Sequence, residues 1–152
     1  MAEVSPQDTR AFFMLSQAPE GAGYYVYGTP DQGQAQYTHP GMMTLLLAVE
    51  RQWALIDGRK FGIGNISVSG GSYFGHKSHR KGLEVDLRPL RKDGKRHPVT
   101  YFSPDYDREG TALLIGLFHT SAPGLLVIFF NDTRIPGTRP LVKHDDHFHV
   151  QF

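Results

Sequence analysis

The chain has 152 residues, a formal net charge of +1 with neutral histidines, and no cysteine. That length suits one domain around one core, and the balanced charge leaves no electrostatic footprint for nucleic acid or an anionic membrane as main partner. Disulfides and thiolate metal ligands are excluded, so any transition metal has to be held by His, Asp or Glu.

The N-terminal "MAEVSPQDTR" lacks the basic and apolar regions of a Sec signal, so no signal peptide is expected in this chain. Residues up to about Ala18 are expected to form a short helix carrying Phe12, Phe13 and Leu15. "GYYVYG" reads as a strand rich in β-formers, ended by "TPDQG". "THPGMMTLLLAVERQWALIDG" reads as a helix with Thr38 or His39 at the cap and Pro40 in the first turn. Met42, Leu46, Val49 and Trp53 fall on one helical face, and Asp57-Gly58 closes the helix. "GIGNISVSGG" reads as a strand running into a glycine-rich loop, and "LEVDL" alternates apolar and acidic residues at period two. "RPLRKDGKRHPVTYF" predicts a basic hairpin around Asp93-Gly94.

Ser103-Pro104-Asp105 predicts a second helix with Ser103 as N-cap and acids in its first turn. Leu113, Leu114, Leu117 and Phe118 would form its buried face. "GLLVIFFND" reads as a continuously apolar buried strand, "TRIPGTRP" as a loop and "HFHVQF" as a closing strand. Neither apolar run, "MMTLLLAV" or "GLLVIFF", is long enough to span a bilayer. Strands and helices mix without a regular βαβ rhythm. The fold class is therefore α+β, one domain over residues 1–152, with a central mainly antiparallel sheet flanked by helices.

Five of the eight histidines fall in two short clusters. The first is His76 and His79, followed by Asp86. On a strand, Leu83, Val85 and Leu87 face one way and Glu84 and Asp86 the other. Asp86 then points away from the core, and a turn allowed by Gly82 can bring His79 beside it. The second cluster is His144, His147 and His149. Phe148 and Val150 face the core, while His147 and His149 project from the opposite sheet face, about 7 Å apart at the backbone. One of the pair can bind a metal while the other stands just outside the ligand set, and three protein ligands with an open fourth position is the layout of catalytic zinc. The lone His39, His97 and His119 read as structural or solvated. Asp145 and Asp146 read as solvated turn residues, and the five Lys/Arg between Arg88 and Arg96 as a solvated face.

At these residues the sequence resembles the penicillin-insensitive murein endopeptidases, of the lysostaphin, D-Ala-D-Ala metallopeptidase and hedgehog group. The matching stretches are "GHKSHRKGLEVD", on the pattern His-x-Ser-His-x-x-Gly-x-x-x-Asp, and "HDDHFHV", on His-x-x-His-Phe-His. "HPGMMTLLLAVE" is a weaker echo of a His-Pro-led helix upstream. The resemblance runs from about Thr38 to the C-terminus and leaves residues 1–37 unplaced. It implies one Zn²⁺ held by His79, Asp86 and His149, with His147 and His144 as the catalytic histidines, either of which would take the proton. It implies that His76 and Ser78 line the substrate site. The implied reaction is hydrolysis of a peptidoglycan cross-link, typically D-alanyl to meso-diaminopimelate, by metal-activated water in the periplasm or cell wall. A D,D- or L,D-carboxypeptidase and a non-catalytic zinc-binding module are the alternatives within the group. The chain departs from typical members in lacking cysteines and a signal, and in carrying Glu84 where Asp is frequent. A leaderless murein hydrolase would suit an antibacterial effector with an immunity partner, or a phage lysin.

Overall fold

The computed structural model describes residues 5–17 and 19–152. It is α+β, built from two helices, a five-stranded mixed sheet and a two-stranded sheet. The strands are β1 (Phe13–Met14), β2 (Tyr24–Val26), β3 (Tyr37–Thr38), β4 (Phe61–Ile63), β5 (Glu84–Leu87), β6 (Val127–Phe129) and β7 (Phe148–Gln151); the helices are α1 (Pro40–Ile56) and α2 (Arg108–Ser121). The large sheet has the order β2-β4-β5-β7-β6, parallel at β2/β4 and antiparallel elsewhere, and β1 pairs with β3.

Period-two alternation decides what each face of the large sheet does. Val85, Leu87, Phe148, Val150 and Ile128 are buried together with the apolar faces of both helices. Phe118 of α2 packs edge-on against Phe61 and Phe148, and Trp53 of α1 against Phe61. Both helices therefore cover one face, and Asp86 and His149, one residue out of phase with this set, lie on the other.

The first helix follows the reading closely. Met42, Leu46, Val49 and Trp53 are buried, with Leu45 beside them. His39 is the cap: its Nδ1 accepts from the Gly41 amide at 2.9 Å, and Pro40 fills the first helical position.

Several expectations are corrected. No helix forms over the described residues before Ala18. The Asp8 carboxylate accepts from the amides of Arg10 and Phe12, satisfying them locally in competition with a helix. Phe13 and Met14 then pair with Thr38 and Tyr37.

The basic segment is a looped turn rather than a hairpin. Arg91 bridges to Tyr106, and Asp93 accepts from both the Arg91 guanidinium and the Lys95 amide. The second helix starts at Arg108, capped by Asp107, which accepts from the Gly110 amide and is held by Arg59. Ser103 instead closes a turn, accepting from Asp105 and Tyr106. With that start the buried face becomes Thr111, Leu114, Ile115 and Phe118; Leu113 is 60% exposed and Leu117 only partly buried. The "GLLVIFF" run is not buried throughout either: Leu125 is 96% exposed, and only Val127–Phe129 forms strand, at an edge where Ile128 faces the core and Phe129 the open side.

Residues 5–17 and 19–37, within the stretch the motifs left unplaced, are part of the fold. Leu15 and Tyr24 are in the core. The Gln36 amide donates to the carbonyls of Tyr27, Ile63 and Gly64, fastening this segment to β4.

Candidate metal centre

β5 and β7 pair so that Asp86 stands directly opposite His149, and Val85 opposite Val150. Two residues 63 apart in sequence thus share the open sheet face, where the His149 ring places Nδ1 3.0 Å from Asp86 Oδ1. His79 arrives from the loop before β5. Its backbone lies at φ 63°, a left-handed conformation uncommon outside glycine, and the Glu84 carboxylate holds it there by accepting from the His79 amide. Gly82 (φ 69°) completes the turn. A Cβ there would lie 2.6 Å from the His39 amide nitrogen, so the close approach of this turn to the cap of α1 requires glycine.

The His79 Nδ1–H donates to the Ile66 carbonyl (3.2 Å), leaving Nε2 3.2 Å from Asp86 Oδ2. A backbone carbonyl fixing the tautomer of a ligand histidine is a recurrent arrangement around metals. His79, Asp86 and His149 each offer a ligand atom, and these atoms lie within 4.8 Å of one another. His79 is 3% exposed, His149 5%, and the Asp86 side chain 13%. Two imidazoles and one carboxylate, desolvated and convergent, fit a divalent transition ion, and three protein ligands leave coordination positions open.

The electrostatics of the bare cluster favour ionised acids. Burial pushes the Asp86 carboxyl up, but hydrogen bonds from His149 and His79 outweigh it and hold Asp86 below the usual carboxylate range. Burial likewise disfavours charge on His149, yet its bond to Asp86 and the nearby Glu84 carboxylate raise it to about 9. His149 is accordingly protonated at neutral pH without a metal, with Nδ1–H donating to Asp86 and Nε2–H to the Gln151 side-chain oxygen at 3.1 Å. The His149 ring in turn lowers Glu84.

The other predicted site residues fall around this group. His147 lies outside it, with Nε2 3.9 Å from Asp86 Oδ1; its Nδ1–H donates to Asp146 at 2.9 Å, which aims Nε2 inward. His144 is tilted against His147 with ring centroids 4.6 Å apart and donates from Nδ1 to the Val142 carbonyl. Burial lowers its pKa, so it is neutral at pH 7. His76 and Ser78 line the same cleft, His76 with its ring 5.6 Å from that of His79. The cleft encloses about 550 Å³ and has an apolar wall of Phe129, Leu141 and Val142.

Sequence reasoning undervalued four of these neighbours. Asp146 orients His147, Asp145 anchors the loop by accepting from Asn131 at 2.7 Å, Glu84 holds the His79 backbone, and Gln151 satisfies His149. For Glu84 and Gln151 the signal was present, since each sits two residues from a ligand on the same strand face. Among the lone histidines, His39 caps α1 and His119 lies 3.2 Å from the Gly137 carbonyl, both structural positions.

Comparison with protein-family models and with curated proteins finds no match to this chain. No helix among the described residues is long and apolar enough to cross a membrane.

Proposed function

We propose that the protein is a zinc-dependent peptidase that hydrolyses peptide cross-links of murein. One observation carries the reading: a convergent His79–Asp86–His149 group at the floor of an open cleft, with two further histidines on the same side and a positioned carboxylate behind one of them. A structural metal site closes its coordination with protein atoms; this one faces a cleft. The motif resemblance supports the same class and suggests D-alanyl–meso-diaminopimelate as the bond.

Zinc bound there supplies a Lewis acid that polarises a carbonyl and brings a water's pKa to about 7. The chain's own residues then do the rest. Asp146 holds His147 in the tautomer with Nε2 free, so His147 takes the proton as general base and returns it to the leaving amine. His144, kept neutral by burial and with its Nδ1–H on the Val142 carbonyl, presents Nε2 to the cleft as an acceptor. Phe129, Leu141 and Val142 exclude water from one flank and receive the apolar part of the peptide.

The test is incubation of zinc-loaded protein with isolated sacculi, followed by mass spectrometry of the muropeptides, with chelated protein and His79→Ala alongside. Loss of cross-linked dimers and gain of the matching monomers is expected for the loaded protein alone. Dimers left intact by protein with stoichiometric zinc would overturn the reading in favour of a zinc-binding module, and trimmed monomers with intact cross-links in favour of a carboxypeptidase.

A further inference from the structure

A second, smaller hollow of about 150 Å³ opens on the other flank of Asp86 and His147, lined also by Tyr27, Arg88, Pro98 and Asp146. Two of its side chains have unused donors. The Tyr27 hydroxyl is buried and finds no hydrogen-bond partner among the described residues. Its ring is fixed in place: the Arg88 guanidinium lies 3.9 Å from its centroid, and a Cβ at Gly64 would lie 2.5 Å from its Cζ. Gly64, immediately after β4, therefore makes room for this ring. Arg88 forms no ion pair among the described residues; its Nη1 donates to the Arg96 carbonyl at 3.3 Å, and the rest of the fork has no acceptor. The acids lining the hollow are engaged elsewhere, Asp146 with His147 and Asp86 with His79 and His149.

A buried phenol without a partner needs an explanation, because leaving it unpaired is costly. A planar guanidinium beside a phenolic O–H is the donor set that recognises a carboxylate. The volume, several times the ~30 Å³ that one water occupies in the liquid, admits such a group.

We propose that Tyr27 and Arg88 bind the free carboxylate of the substrate residue flanking the bond to be cut. This rests on the proposed function and deepens it: in a D-alanyl–meso-diaminopimelate cross-link, the carbon bearing the scissile nitrogen also bears a carboxylate. The main cleft then receives the acyl side of the peptide, and the small hollow holds that carboxylate. Tyr27 and Arg88 thus set specificity without touching the metal.

Two measurements on the zinc-loaded full chain test this. In the first, cross-linked muropeptide dimers with that carboxylate free or amidated are compared for kcat/KM. Wild type is expected to prefer the free form by at least about 10-fold, and Tyr27→Phe and Arg88→Gln to erase the preference. In the second, NMR titration with N-acetyl-D-alanine and with its primary amide reads binding without turnover. Tyr27→Phe is expected to weaken the carboxylate alone, by about 10-fold, with zinc affinity and Tm unchanged or Tm raised. Binding through the metal alone would be insensitive to Tyr27→Phe, and that result overturns the proposal. So does a lowered Tm, which would show that the hydroxyl serves the fold. Cleavage of murein with no discrimination between free and amidated dimers removes the carboxylate site and leaves the proposed function standing. Tyr27-dependent carboxylate binding in a protein that cleaves no murein does the reverse.

Discussion

Asp86 is the residue on which the centre depends most, since it faces His79, His149 and His147 at 3.2, 3.0 and 3.9 Å. Asp86→Ala leaves three imidazoles without their common anion. Metal affinity should fall by more than 100-fold, beyond the roughly 10–100-fold that loss of an outer partner costs. The thermal stabilisation that metal confers should vanish with it, because binding energy to a folded site is folding energy. Glu84→Gln is the instructive companion. Its carboxylate holds the His79 amide and lies 3.7 Å from His149 Nε2, so affinity should drop by about 10–100-fold while binding persists. Zinc titrations of the two variants by calorimetry check the ranking, and equal losses would show that Glu84 is itself a ligand. Strand alternation in "LEVDL" and "HFHV" is a local rule that puts Asp86, His147 and His149 on the open face, but it does not choose between the two histidines or place His79, which lies in a loop; the motif resemblance supplied that choice. Tyr27 and Arg88 were not legible in the sequence, because their pairing with the site depends on which strand neighbours which.

At the scale of elements, the site loop is held by a part of the chain that no motif marks. Arg10 donates to Asp8, Ser67, the Val68 carbonyl and, at 2.6 Å, the Arg80 carbonyl next to His79. The Asp8 side chain is fully buried, so its charge relies on that guanidinium together with the Gly70 amide. Arg10→Met keeps an unbranched side chain of similar reach but removes these bonds and the guanidinium that lies 4.3 Å from the Phe12 ring centroid. It should destabilise the fold by about 2–4 kcal/mol and weaken metal binding by about 10-fold, as the His79 loop loosens. Denaturant melts and zinc titration check both, and unchanged metal affinity would mean that the loop is held by Glu84 alone. The sequence misleads here for a physical reason. Phe12, Phe13 and Leu15 suggest a helix, but Asp8 offers its carboxylate to the amides that a helix would use. The same competition displaces the start of α2: Ser103 has the residue type of a cap, yet it closes a turn, and Asp107, clasped by Arg59, is where the helix begins. Long periodic segments such as α1 are readable because many residues vote for one face, whereas starts are decided by single side chains whose partners lie far away in sequence.

The His79–Asp86–His149 group, the candidate metal centre, lies on the sheet face opposite both helices, so the core holds the strands in register whether or not a metal is bound. Its response to pH should reveal that division. Without metal, His149 is raised from 6.5 to about 9. A group whose folded pKa is raised stabilises fully below its unfolded value, and that contribution is lost as pH climbs from about 6.5 through 9. Asp86 is lowered from 3.8, so its contribution is present above that value and disappears as pH falls below it. The two shifts largely describe one interaction and are not summed. The metal-free protein should therefore be most stable between about pH 4 and 6.5 and soften towards pH 9. A ligand histidine must be neutral, so metal has to displace the His149 proton. Binding should tighten as pH rises over 6.5–9, by up to about 10-fold per unit for that one proton. The gap in Tm between loaded and metal-free protein should widen across the same interval. Calorimetry in buffers of different ionisation enthalpy should record about one proton released per zinc at pH 7.5. A gap in Tm that stays constant from pH 6.5 to 9, with no buffer dependence of the heat, would mean that His149 does not hold the metal.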